Sequence, residues 1–166
     1  MMLTIPEFLE RIKALPLSVA IHRGEWLFPI IEIVHVCALS LVFGSILMMD
    51  LRLLGLASRQ DAVSRLSSEM LPWTWTTFAL AAISGSLLFM SRAEVYWFNV
   101  QFRCKFALIV LAGINMLVFH LGIYRRVAGW DNQLPPPKAA RVAGGMSILL
   151  WIGVVFFGRW IGFATN

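Results

Sequence analysis

Two of the three histidines in this 166-residue chain, His35 and His120, lie inside long apolar runs. An ionisable side chain within a bilayer costs on the order of 3 kcal/mol, so such a residue is normally paired, ligated or set along a path. Neutral imidazole is the usual axial ligand of a b-type haem, whose flat apolar ring fits between bundle helices. His35 and His120 are therefore the candidate haem or metal ligands. Gly113, seven residues before His120 on the same helical face, leaves room for a porphyrin edge. Glu32 precedes His35 by one turn and could accept its second ring N–H. The guanidinium groups of Arg125, Arg126 and Arg141 suit haem propionates through bidentate pairing. The same Glu32, His35 and His120 could instead hold a bare copper or iron ion. The plainest role for either histidine is a hydrogen bond between helices, the role also expected of Asn115.

The elements that must position these residues follow from composition. Hydrophobic residues make up 59% of the chain and Asp, Glu, Lys and Arg only 14%, where a soluble domain carries roughly 25% charged residues. Mean hydropathy is +0.77. Such a chain has too little polar surface to cover a water-facing globule, so its solvent is lipid. An ordinary soluble enzyme is excluded. The net charge of +5 then points to lipid headgroups and not to nucleic acid. Cys37 and Cys104 both fall in or beside apolar runs and read as small buried hydrophobes.

Four apolar runs approach the roughly 20 residues that a helix needs to cross a bilayer. They predict an all-α integral membrane four-helix bundle forming a single domain over 1–166, with spans at about 24–50, 71–91, 104–125 and 140–163. Ahead of them, residues 4–15 combine Thr4 and Glu7 at capping-box spacing with an apolar stripe of Ile5, Phe8, Leu9, Ile12 and Leu15. This predicts a short amphipathic helix on the membrane surface rather than a cleavable signal. Pro135, Pro136 and Pro137 predict a stiff extended link before the last span.

The 14 basic residues divide evenly between the two sides. Arg52, Arg59, Arg65, Arg125, Arg126, Lys138 and Arg141 fall in the first and third connections; Arg11, Lys13, Arg23, Arg92, Arg103, Lys105 and Arg159 fall elsewhere. Arg125 and Arg126, directly at a helix end, favour cytoplasmic first and third connections, with both termini periplasmic. Depth is a harder matter. His35 lies 15 residues before Asp50 and His120 five before Arg125, which at 1.5 Å per residue separates the imidazoles by about 15 Å in depth. One haem held by both requires the first helix to be extended, tilted or kinked near Pro29.

The segments Ile31-Glu32-Ile33-Val34-His35 and Asp50-Leu51-Arg52-Leu53-Leu54-Gly55 resemble those of an uncharacterised family of small bacterial four-helix membrane proteins. The wider order, from His35 through Gly44, Leu71-Pro72, Gly85, Lys105 and His120 to Arg141, is similar to the bacterial membrane protoporphyrinogen oxidase and copper-resistance D families. The resemblance covers about residues 18–163. It implies a four-helix membrane fold with His35 as a haem-b ligand and His120 as the second. Val142-Ala143-Gly144-Gly145 stands where the oxidase family has Asn-Glu-Val-Pro, so oxidation of a porphyrin precursor is not implied.

The expectation from these observations is a haem-b-binding protein of a bacterial inner membrane that transfers electrons between membrane quinone and a redox partner. A copper- or iron-handling protein and a non-catalytic membrane anchor are the rivals. Besides the lipid bilayer, the candidate partners are quinone, a redox protein and a second copy of the chain.

Overall fold

The computed structural model describes residues 4–132 and 135–164. Among the described residues seven α-helices follow in order: α1 (Ile5–Lys13), α2 (Pro16–Arg23), α3 (Leu27–Leu53), α4 (Val63–Ser91), α5 (Ala93–Phe98), α6 (Val100–Val118) and α7 (Lys138–Ala164). A π-turn (Phe119–Ile123) and a 3-10 turn (Tyr124–Gly129) carry α6 onward to Gly129. Four stretches are long and apolar enough to cross a membrane: Leu27–Leu53, Val63–Ser91, Val100–Gly129 and Lys138–Phe163. This is a multi-pass, all-α membrane bundle. Its outer faces carry exposed Ile33, Val36, Leu41, Leu149 and Ile152, which only lipid can solvate at low cost.

The second span begins eight residues earlier than its hydropathy suggests, at Val63 instead of 71. Residues 63–70 are half polar, so the apolar window misses two turns that are nonetheless helical. Pro72 accordingly lies within α4 and does not open it. The Thr76 hydroxyl donates to the Pro72 carbonyl at 2.8 Å. Such side-chain bonds help a membrane helix accommodate proline. The surface segment is two helices, broken where Pro16 removes a backbone donor and opens α2.

The spans pack in the order α4, α3, α7, α6, while no Cα of α4 comes within 8 Å of one in α6. Between α4 and α6 the backbones stand further apart, bridged at one end by Phe89 stacked on Phe102 at 5.4 Å and at the other by the 3-10 turn against α4. Small residues allow the close approaches. A Cβ on Gly144 would meet the Asp50 carbonyl oxygen and the Leu53 Cβ, both at 3.1 Å, which is how α7 seats on the end of α3. Gly144→Ala should therefore destabilise the bundle by about 1–3 kcal/mol. Gly113→Ala, whose Cβ would meet nothing within 4 Å, should leave stability unchanged, and detergent unfolding of both variants checks the contrast.

At the opposite end α1 and α2 dock against α4 and α5. Leu9 and Ile21 are buried there, the Ser18 hydroxyl donates to the Met90 carbonyl at 2.6 Å, and Lys13 pairs with Glu94 at 3.7 Å. Exposed ion pairs add little, and the spans make none of their mutual contacts through α1. Deleting residues 5–15 should leave all four spans inserted, with only a modest loss of thermal stability. Protease protection of the truncated protein in vesicles is the check.

Candidate functional site

His120 sits in the π-turn that ends α6, a local widening of the helix that recurs at functional sites. Its ring is held between Phe119 and Tyr124, each with its centroid 5.3 Å away. Nδ1 lies 3.0 Å from the Met116 carbonyl oxygen. A carbonyl only accepts, so Nδ1 carries the hydrogen and the lone pair of the neutral ring is on Nε2. That Nε2 is buried and has no hydrogen-bond partner.

The atom lies at the wall of a cleft formed by all four spans. Ser45, Asp50 and Leu53 of α3, Ser67, Thr74, Trp75 and Phe78 of α4, Ile109, Gly113 and Asn115 of α6, and Ser147 and Trp151 of α7 line it with His120. Its volume is about 170 Å³, where one water needs roughly 10–15 Å³. The cleft is polar at one end. Asp50, Ser67 and His120 stand within a few turns of their helix ends, whereas Phe78, Ile109 and Trp151 lie deeper. Along α6, Ile109 to His120 spans about 16 Å at 1.5 Å per residue.

Asp50 is 6% exposed. The Ser147 hydroxyl reaches its carboxyl, yet its Oδ2 is buried without a partner. No ion pair within 4 Å joins Asp50 to His120 among the described residues. Both residues line the same largely apolar cleft, and a buried polar atom with no protein partner can take a bond from a ligand. Asn115 is satisfied, its side-chain amide donating to the Ala143 carbonyl of α7 at 3.0 Å, the interhelical role its sequence position suggested.

Arg52, two residues beyond Asp50, holds this end of the bundle together. It is fully buried. Its Nε donates to the Asp61 carbonyl at 2.8 Å and one terminal nitrogen to the Asp131 carbonyl at 3.1 Å, joining the α3–α4 and α6–α7 connections. The Asp131 carboxylate accepts from the Ser64 backbone N–H at 2.8 Å and the Ser64 hydroxyl at 2.6 Å, capping α4 from a distant part of the chain. Burial alone would raise the Asp131 pKa, but the hydrogen bonds from Ser64 and Val63 and the nearby Arg52 charge outweigh it and hold the group below its ordinary 3.8.

The other residues singled out by sequence are placed elsewhere. His35 is not in the cleft. Its Nδ1–H faces the Ala81 carbonyl at 2.9 Å and the Ser84 hydroxyl at 3.1 Å, and a Cβ on Gly85 would lie 2.8 Å from its Cε1. Since Phe119, next to His120, packs in one core cluster with Met49 and Leu53, 14 and 18 residues beyond His35 on α3, the two imidazoles differ by more than 20 Å along that helix at about 1.5 Å per residue. The expected pairing of His35 with His120 on one group is not formed. Glu32 is exposed, and the hydrogen bonds of the His35 ring go to α4 instead. Glu32 lies toward Tyr96, whose hydroxyl is raised above 10.0 first by burial and further by the Glu32 charge, against Arg92. Arg125, Arg126 and Arg141 are exposed at the polar end of the bundle and do not line the cleft. Gly113 does line it. Among the described residues no group of three His, Cys, Asp or Glu side chains could hold a metal ion, so Glu32, His35 and His120 do not form the bare-metal site.

Asp50 is the cleft residue that sequence reading passed over, because the first span was ended there. The signal was present: Leu51, Leu53 and Leu54 continue the apolar run beyond it.

Residues 25–164, which take in every cleft-lining residue, match the DUF6644 family, described as a family of unknown function. No curated protein and no solved structure matches the chain.

Proposed function

We propose, for a chain that belongs to the DUF6644 family and whose cleft lies wholly within the family match, a membrane redox protein that binds a lipid-soluble quinone between its four spans. The observation that carries this reading is the pair of partnerless buried atoms, Asp50 Oδ2 and His120 Nε2, in one otherwise apolar cleft. A quinone is a flat ring with two opposed oxygens and a long apolar tail. Its oxygens suit the polar end, its ring the aromatic walls of Trp75, Phe78 and Trp151. The wider spacing of the α4 and α6 backbones between their two bridging contacts is where the tail would pass into lipid. With the first and third connections cytoplasmic in a bacterial inner membrane, the head would sit near the cytoplasmic surface. Exchange of electrons with the quinone pool is the activity that such a site serves.

The test is a titration of the purified protein with decylubiquinone, following quenching of tryptophan fluorescence, since Trp75 and Trp151 line the cleft. Saturable quenching that Asp50→Leu weakens at least tenfold supports the reading. Quenching that rises linearly with no saturation counts against it.

A second reading is favoured by the His120 ring itself. Imidazole that donates Nδ1–H to a backbone carbonyl and keeps Nε2 free is the usual arrangement of a metal-bound histidine. A haem b in the cleft would then have His120 as an axial ligand, Gly113 leaving space at its edge. A bound haem would supply one-electron chemistry. An absorption spectrum separates the readings, because only haem gives a Soret band that shifts on reduction.

A further inference from the structure

Resting on the quinone reading, we propose that the cleft prefers the reduced ligand, a dihydroxy-aromatic quinol, over the quinone. The reason lies in which hydrogen-bonding partners are left unpaired. With Nδ1–H committed to the Met116 carbonyl at 3.0 Å, the neutral His120 ring can offer only an acceptor at Nε2. Asp50 Oδ2 accepts when the carboxyl is ionised and can donate when it is protonated, so it suits either ligand and the discrimination falls on His120. One N–H of the Asn115 amide is spent on the Ala143 carbonyl at 3.0 Å, and the amide keeps a second. The Ser45 hydroxyl lies within 2.9 Å of the Val42 carbonyl and 2.8 Å of the Thr74 hydroxyl, which has the Met70 carbonyl at 2.9 Å. The open position that can only accept is thus His120 Nε2.

A quinol brings two O–H donors and a quinone brings none. Binding a quinone would set its carbonyl lone pairs against the His120 lone pair and leave Nε2 unsatisfied in an apolar wall, and an unmet buried partner is what produces strong discrimination between otherwise similar ligands. Neither a hydrogen bond nor an ion pair joins His120 to Asp50 among the described residues, so the two groups do not satisfy each other.

The full-length protein in detergent, under argon, is titrated by calorimetry with decylubiquinol and separately with decylubiquinone. The quinol is expected to bind at least tenfold tighter, and His120→Ala to bring the two affinities within twofold while thermal unfolding shows the variant folded. His120→Gln, whose amide oxygen can also accept, should recover part of the preference. Equal or tighter quinone binding by the native protein would overturn the redox-state preference and leave the cleft reading standing. Binding of neither probe would overturn both. A folded His120→Ala variant that keeps the full preference would remove His120 from the role. Should that variant fail to fold, an Asp50→Leu variant that keeps the tenfold preference still locates it at His120, and one that loses the preference entirely moves it to Asp50.

Discussion

Gly113→Phe is expected to abolish decylubiquinone binding, by about 100-fold or more, while Gly122→Phe leaves it unchanged. Both glycines have open space where a Cβ would go, so neither substitution forces a backbone apart. They differ in what that space is. Gly113 lines the cleft midway between Ile109 and His120, and a phenyl ring there occupies the volume that a ligand ring must enter. Gly122 is exposed and lines nothing, so its phenyl ring meets lipid. A ligand ring excluded from an apolar pocket forfeits about 3 kcal/mol of burial, which is about 100-fold in affinity. Fluorescence titration gives the affinities, and equal unfolding midpoints for the two variants show that the loss is steric. Equal binding by both would move the ligand out of this cleft.

Arg52→Ala is expected to cost about 3–5 kcal/mol of stability, the largest single loss in the molecule. The guanidinium is fully buried and ties two connections that are 70 residues apart in sequence, through Asp61 and Asp131. Its removal takes the donor from the Asp61 carbonyl, leaves the Asp131 carbonyl only the Val63 N–H at 3.3 Å, and takes a positive charge away from the Asp131 carboxylate. Arg52→Lys should rescue little, because an ammonium on a flexible stem cannot reproduce the two divergent contacts of a planar fork. Unfolding by increasing detergent charge, read by circular dichroism, measures both variants.

Asp131 adds a pH dependence to the same buttress. Its folded pKa lies below the 3.8 of an ordinary aspartate. A carboxyl that is more acidic in the folded state contributes stability that is present above 3.8 and is lost as pH falls through its folded value. The native protein should therefore lose stability below pH 3.8, and Asp131→Asn should lose less over the same range. A variant with the same acid sensitivity as the native protein would show that other carboxyls govern it.

The membrane nature of the chain, the number of spans and the apolar faces were all legible in the residues, because crossing a bilayer demands a long run of apolar side chains and a self-satisfied backbone. The interhelical role of Asn115 and the open space at Gly113 followed from the same pattern. The start of α4 did not, since the polar turns from Val63 to Met70 are helical through packing and through the Asp131 cap, a contact across 67 residues. Nor did the site. Sequence paired His35 with His120 because both interrupt apolar runs, and passed over Asp50 because it closes one. Which polar groups share a cavity depends on how far each helix slides along its neighbour. Gly85 beneath His35 and Gly144 against Asp50 and Leu53 set those offsets. Such contacts are small, specific and local to a packed interface, so hydropathy carries no trace of them, and only the assembled bundle puts His120 and Asp50 on the wall of one cleft and leaves His35 more than about 20 Å away along α3 by helical rise.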